Sequence, residues 1–237
     1  MKIAIIGAGF FGLATALKLR DKFKNAEIHV YEKLNNILLG ASGKNQFRWH
    51  RGYHYPRSQE TAEECLESYN SFKKYFGKFT VKSENFYSIA TNDSLTNEKK
   101  FIEFCERNKL HCKKTNIKIF KKNKITSSFK VKEEIININL IRENLRKNLQ
   151  KNKIKVFLNK QVILNKKFKE NFDYIVASTY FENTNLLKEK VDKNIKFQYV
   201  EKVIVKLPKT YRNLSVVVLD GNFMCLDPYM NNKYTIL

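Results

Sequence analysis

The sequence predicts an α/β fold in which a parallel-sheet lobe is interleaved with a strand-rich lobe of mixed or antiparallel sheet. Three observations predict it. The chain opens with "KIAII", "GAGFFG", "LATALKLRDKF" and "AEIHVYE", the apolar-strand, glycine-turn, helix, strand order of a βαβ unit. A second buried strand ending in small residues, "FDYIVAST", follows much later in the chain. Strand-period segments dominate residues 79–136 and return over the last fifty residues. The expected division is residues 1–78 with 137–190 for the first lobe, and 79–136 with 191–237 for the second.

Each element has a local reason. "KIAII" is short and fully apolar, as a strand covered on both faces must be. Leu13, Ala16 and Leu17 repeat at helix period after the glycines. Residues 33–57 lack clear periodicity. "SQETAEECLESYNSFKKYF" predicts a helix capped near Ser58, and "SLTNEKKFIEFCERNKL" another capped by Ser94. "FTVKSENFYSIATN" predicts strands, "INLIRENLRKNLQKN" an amphipathic helix and "IKVFLN" a strand. "KFQYVEKVIVKL", "LSVVVLD", "FMCLD" and "YTIL" predict the final strands.

Composition sets outer bounds. The 237 residues are 43% hydrophobic, enough for a sizeable core and too apolar for a disordered chain. The net charge of +22 comes mostly from scattered lysine, 37 of the 45 basic residues. Scattered lysine predicts a solvated surface rather than a dedicated nucleic-acid face, with only weak, salt-sensitive polyanion binding. The four cysteines form no CxxC pair, which predicts reduced structural thiols. No signal peptide and no apolar run of transmembrane length are read, so a soluble cytoplasmic protein is expected.

Gly7, Gly9 and Gly12 form a GxGxxG turn between a predicted strand and a predicted helix, and a second strand ends at Glu32. That is the full context of a dinucleotide-binding turn. Gly7 permits the tight bend, Gly9 lets a diphosphate approach the backbone, and Gly12 lets helix and strand pack closely. The helix N-terminus offers N–H groups to phosphate oxygens. Glu32 suits the ribose hydroxyls and would repel a 2′-phosphate, which disfavours NADP. The turn alone does not separate FAD from NAD.

"ASGKNQFRWHRGYHYPRS", residues 41–58, is too polar for a core and too aromatic for a linker. Its small residues allow close approach to a flat cofactor, and Ser42, Asn45 and Gln46 can bond phosphate, ribityl or ring heteroatoms. Arg48, Arg51 and Arg57 can offer forked donors to a carboxylate or phosphate. His50 or His54 can take a proton near neutral pH. His29 and His111 are read as structural. The i, i+4 spacing of His50 and His54 lacks a third ligand, so no metal is expected.

"GAGFFGLATALKL", "VYEK" and the 41–58 segment together resemble the D-amino-acid-oxidase (DAO) superfamily of FAD-dependent oxidoreductases. The run through Asn45, His50, Gly52, Tyr55 and Pro56 is similar to its L-2-hydroxyglutarate oxidase/dehydrogenase branch. Trp49-His50 is also similar to a branch in which a histidine carries the flavin covalently. The resemblance implies a Rossmann-like FAD-binding lobe. It implies cofactor contacts at Gly7, Gly9, Phe10, Phe11, Gly12, Glu32, Lys33, Ala41, Ser42, Gly43, Asn45, Gln46, Ala177 and Ser178, with His50 and Arg48 as catalytic groups. It also implies hydride transfer to FAD from a C–H bond beside an amine or hydroxyl of a small, typically acidic molecule: a 2-hydroxy acid, an amino acid or an amine. Relatives in that superfamily continue past the equivalent of Leu237 with a glycine-bearing segment, and after Gly77 the only glycine here is Gly221. A C-terminally truncated chain is therefore expected. The alternatives are an NAD-dependent enzyme, a nucleotide-binding scaffold without catalysis, and a polyanion-binding protein.

Overall fold

Four of the five residues of strand β1 (Lys2–Ile6) are buried, and the strand ends directly in the glycine turn. The computed structural model describes residues 1–187, 200–211, 213–221, 224–229 and 233–236. Helix α1 (Phe10–Lys22) buries Gly12, Leu13 and Ala16. It crosses over to β2 (Glu27–Tyr31), which lies parallel to β1 with Ile3 beside Ile28 and Ile5 beside Val30.

The chain then runs through the short strand β3 (Arg48–Trp49), α2 (Gln59–Phe76), β4 (Thr80–Val81), β5 (Glu84–Ala90) and α3 (Glu98–Arg107). Next come β6 (Cys112–Thr115), β7 (Ile125–Val131), β8 (Glu134–Ile136), α4 (Ile138–Lys151) and β9 (Lys155–Phe157). The short α5 (Lys166–Lys169), β10 (Tyr174–Ala177) and α6 (Asn183–Leu187) follow. Strands β11 (Val203–Val205), β12 (Leu214–Leu219), β13 (Cys225–Pro228) and β14 (Tyr234–Ile236) complete the described chain.

These elements fall into two units. Residues 1–45 and 138–187 form the first, whose all-parallel sheet has the order β10-β1-β2-β9. Every strand of a parallel sheet needs a covering layer. Helix α4 meets that need with a buried stripe of Ile138, Ile141, Leu145 and Leu149 at helical spacing.

Residues 46–137 and the described residues from 200 onward form the second unit. Its seven-stranded sheet has the order β11-β14-β13-β12-β5-β7-β6, antiparallel except where β12 runs parallel to β5. A small sheet β3-β8-β4 accompanies it. The core gathers Tyr53, Tyr87, Phe101, Phe104, Phe129 and Val217 around α3 and the large sheet.

The mixed α/β class is as expected, and three details differ. Residues 46–78 belong to the strand-rich unit rather than the first. Arg48 pairs with Ile135 in the small sheet, and Ala62 of α2 joins the Tyr53–Tyr87 core. Asn97, not Ser94, caps α3: its side-chain oxygen accepts from Lys100 N at 2.9 Å, the i+3 reach of a true cap. Ser94 Oγ instead donates to the carbonyls of Thr96 and Leu219. Ser58 does hold the cap position of α2, yet its hydroxyl bonds the Thr61 hydroxyl at 2.8 Å and no helix N–H. The expected boundary at residue 190 and the expected strand residues 196–199, 223 and 237 lie outside the described residues.

Phe101 is fully buried and packs 5.0 Å from the Phe129 ring. Phe101→Ala should destabilise the strand-rich unit by about 3–5 kcal/mol, read as a lower midpoint in urea denaturation followed by near-ultraviolet dichroism.

Candidate functional site

The nucleotide-type turn is built by exclusion of side chains. Gly7 has φ +104°, and a Cβ there would lie 2.4 Å from the Ser178 carbonyl oxygen. A Cβ at Gly12 would lie 2.0 Å from the Gly7 carbonyl oxygen, so α1 can start this close to β1 only with glycine at that position. At Gly9 the demand differs. A Cβ would meet only Ser42 Oγ, at 3.2 Å, and nothing else within 4 Å. The space beside Gly9 is thus a cradle that a side chain would fill and that bare backbone leaves open.

Two acceptors tie this turn to the rest of the first unit. Glu32 Oε2 accepts from Ala8 N and Oε1 from Leu34 N, both at 2.9 Å. Each carboxylate oxygen keeps a lone pair for a ribose hydroxyl. Ser42 lies in a 3₁₀ turn over Ala41–Gly43, and its Oγ accepts from Phe10 N at 3.1 Å. That hydroxyl stands in for the cap side chain that Gly9 lacks.

The structure brings most of the expected cofactor residues together in this unit. Ala177 pairs with Ile6, and Ser178 N donates to Ile6 O at 2.8 Å, which places the end of β10 against Gly7. Asn45 Nδ2 lies 3.4 Å from Ala41 O and 3.3 Å from Ser42 O, within its own turn. Lys33 is exposed and ion-paired with Glu182, and Phe11 is 87% exposed. Gln46, Arg48 and His50 belong to the other unit.

That second unit holds a buried ionic network. The Arg48 guanidinium donates to Glu133 Oε2 at 2.6 Å, to Asp227 Oδ1 at 2.8 Å and to Ser215 Oγ. Ser215 Oγ donates on to Asp227 at 2.7 Å, and Tyr87 OH donates to Glu133 Oε2 at 2.8 Å. Side-chain exposure is 1% for Arg48 and 0% for both carboxylates. Arg48 therefore has both terminal nitrogens bonded within the protein, and its burial keeps it from the surface where a substrate carboxylate would arrive. Burial works against its charge, but Asp227, Tyr87 and Glu133 more than offset this and hold it firmly protonated.

Glu133 Oε1 accepts from Arg51 N at 3.0 Å and faces His50 Nδ1 at 3.6 Å. Burial would raise its pKa, yet His50 and Arg48 outweigh burial and lower it to about 2. His54 packs 5.6 Å from His50, ring to ring, and burial together with the His50 and Arg48 charges lowers its pKa to about 4. Arg51 stacks over Tyr69 at 3.9 Å, and Arg57 pairs with Asp220. Among the described residues no group of three or more His, Cys, Asp or Glu could hold a metal, and no helix is long and apolar enough to cross a membrane. All four cysteines are free thiols.

Sequence reasoning missed Glu133, Asp227, Ser215 and Tyr87. One signal was present. "CLDPY" puts an acid inside a buried apolar strand, and such an acid demands a buried cation.

A glycine-cradled turn with an acidic residue ending the second strand defines a dinucleotide-binding α/β protein. Residues 2–169 match the FAD dependent oxidoreductase (DAO) family, and the chain belongs to that family. FAD is the family's cofactor. The chain is 25% identical to the FAD-dependent monooxygenase kojA of Aspergillus flavus over 98% of its own length and 59% of that protein's, so it spans less than two thirds of this relative. It is 30% identical to an L-2-hydroxyglutarate dehydrogenase of Indibacter alkaliphilus over 31% of its own length and 18% of that protein's. Among solved structures, glycine oxidase from Bacillus cereus superposes with a TM-score of 0.71 over 99% of this chain and 70% of that one, at 13% identity. At that identity the likeness shows the fold alone.

Two predictions follow from the geometry. Gly12→Ala should lower the melting temperature by several degrees, because its Cβ meets backbone, whereas Gly40→Ala, with nothing within 4 Å, should leave it within a degree or two. Differential scanning fluorimetry separates the two outcomes. The acid limb of stability has an assignable origin. Glu133, lowered from 4.5 to about 2, stabilises the fold fully above the unfolded value and loses that contribution as pH falls through about 2. His54, lowered from 6.5 to about 4, adds a loss that starts as pH drops below 6.5 and is complete near 4. His54→Asn should flatten the stability curve between pH 6.5 and 4 and leave the steeper loss below 4, measured by urea midpoints across pH.

Proposed function

We propose that this chain supplies the nucleotide-binding unit and a substrate-binding unit of an oxidoreductase that acts on a C–H bond beside an amine or hydroxyl of a small acidic molecule. The observation that carries the reading is the open cradle at Gly9 beside Glu32, which suits a diphosphate and its adenosine ribose. The 41–58 segment favours FAD over NAD, and the similarity to an L-2-hydroxyglutarate dehydrogenase supports the substrate class.

FAD, when bound, supplies a two-electron acceptor. The residues proposed to hold it are the backbone of Gly7, Gly9, Phe10, Phe11 and Gly12, the Glu32 carboxylate, Lys33, the Ala41–Gly43 turn with Asn45 and Gln46, and Ala177 with Ser178. His50, whose side chain is 26% exposed, is proposed to take the hydroxyl or amine proton of the substrate. Arg48 has a different part from a substrate clamp: it neutralises Glu133 beneath His50. Arg51 and Arg57 remain the arginines with partly exposed side chains in this segment.

Titrating the purified chain with FAD and separately with NAD tests the reading. Binding of FAD, seen as quenched flavin fluorescence, with no protection from melting by NAD is the expected result. Glu32→Gln should weaken FAD binding by roughly ten- to a hundredfold, the worth of a charge-assisted hydrogen bond of about 1.5–3 kcal/mol. Equal indifference to both nucleotides would reject it.

A further inference from the structure

One guanidinium, Arg48, lies buried between two buried carboxylates, Glu133 and Asp227, which leaves one negative charge over. An uncompensated buried charge is costly, so the donors and cations around the pair determine whether it is tolerated. The neighbouring groups narrow the choice. Tyr87 meets Glu133 as a neutral hydroxyl donor, and burial pushes the Cys225 thiol up to about 11, so neither adds a further negative charge. His54 is held neutral, with its pKa near 4. The Arg51 guanidinium goes to Tyr69 and to Glu134 at 3.8 Å, and Asp220 is paired with Arg57. Lys202 acts on Asp227 from the other side, where burial pulls its pKa down and Asp227 pulls it up, so the second carboxylate has a cation of its own. Among the described residues, His50 is the ionisable side chain that faces Glu133 Oε1.

The His50 geometry fits that part. Its Nδ1 is 3.6 Å from Glu133 Oε1, is buried, and has no hydrogen-bond partner of its own. The side chain is still 26% exposed, so its open edge lies elsewhere on the ring. Glu133 itself is fixed on three sides, by Arg48, by Tyr87 OH and by the backbone N–H of Arg51. A carboxylate anchored in this way can orient an imidazole and select its tautomer.

We infer that Glu133 is the positioning residue for His50, forming a carboxylate–imidazole dyad in which Nδ1–H points to Glu133 and Nε2 is the nitrogen that exchanges protons outward. The inference deepens the proposed role of His50 and rests on it for any catalytic meaning, but the dyad itself is a property of the strand-rich unit. No atom beyond a proton moves: Nε2 accepts one, the imidazolium is stabilised by Glu133, and Nε2 later releases it.

The test is imidazole 15N NMR of the full chain without added cofactor. The chain has four histidines, and His50→Gln assigns the His50 signals. In its neutral form His50 should be the Nδ1–H tautomer, the reverse of free histidine's preference. In Glu133→Gln that preference should swing back toward Nε2–H, and Glu133→Asp should recover part of the Nδ1–H form. An Nε2–H tautomer in the unmodified protein, or an unchanged Nδ1–H preference in a folded Glu133→Gln, overturns the inference. If Glu133→Gln does not fold, the tautomer in the unmodified protein decides alone. A protein that binds no FAD but shows the Nδ1–H tautomer keeps the dyad and loses the flavin reading. One that binds FAD with the Nε2–H tautomer keeps the flavin reading and loses the dyad.

Discussion

The strand-rich unit depends on one buried guanidinium. Arg48 reaches Glu133, Ser215 and Asp227, which are separated along the chain by 85, 167 and 179 positions. Four distant segments therefore have to arrive together before any of these charges is compensated. Apolar packing alone tolerates small shifts between strands, but a fork of charge-assisted hydrogen bonds does not. Ser215 and Asp227 sit on neighbouring strands, two positions along from the paired Val217 and Cys225, so the ladder itself delivers the second carboxylate to the arginine. Removing one partner of such a set leaves a charge stranded in the core, a loss of about 3–5 kcal/mol. Replacing the whole set by apolar side chains would not carry that loss, because burying the charges is itself expensive.

The first unit depends on the opposite device, an absence of side chains. The three glycines are not equivalent. Gly7 and Gly12 are closed by backbone at 2.4 and 2.0 Å, so they are packing requirements. Gly9 is closed by almost nothing, so packing leaves its missing side chain unexplained. Glu32 and Ser42 then fasten the turn from two different segments, using acceptors that also suit a nucleotide. The atoms that fasten the turn are the ones proposed to meet a nucleotide, and the fastening makes the turn stiff before anything binds.

This difference decides what could be read from the sequence. The turn was legible because its constraint is local: three glycines at fixed spacing, a strand before them and an acid ending the next strand. The helix stripes were legible for the same reason, as with Ile138, Ile141, Leu145 and Leu149. The buried network was not. Arg48 alone reads as a ligand-binding arginine, because nothing within a few residues shows its partners. Glu133 reads as one of two adjacent acids in a polar stretch, and only the fold makes it buried and its neighbour Glu134 accessible. The α3 cap failed on a finer scale. Ser94 and Asn97 are both good caps, and the choice between them was settled by Leu219, whose carbonyl takes the Ser94 hydroxyl.

The 41–58 segment shows why a single motif can serve two ends. It reads as one stretch, but the unit boundary falls between Asn45 and Gln46. Before it, small residues make a tight turn whose hydroxyl caps the glycine-led helix. After it, Arg48, His50, Tyr53 and His54 all turn into the ionic and aromatic core of the strand-rich unit. A short covalent link thus joins a surface suited to phosphate with an imidazole backed by a buried carboxylate. The buried residues of this segment hold one unit's architecture, and those with exposed edges, His50, Arg51 and Arg57, are the ones a ligand could reach.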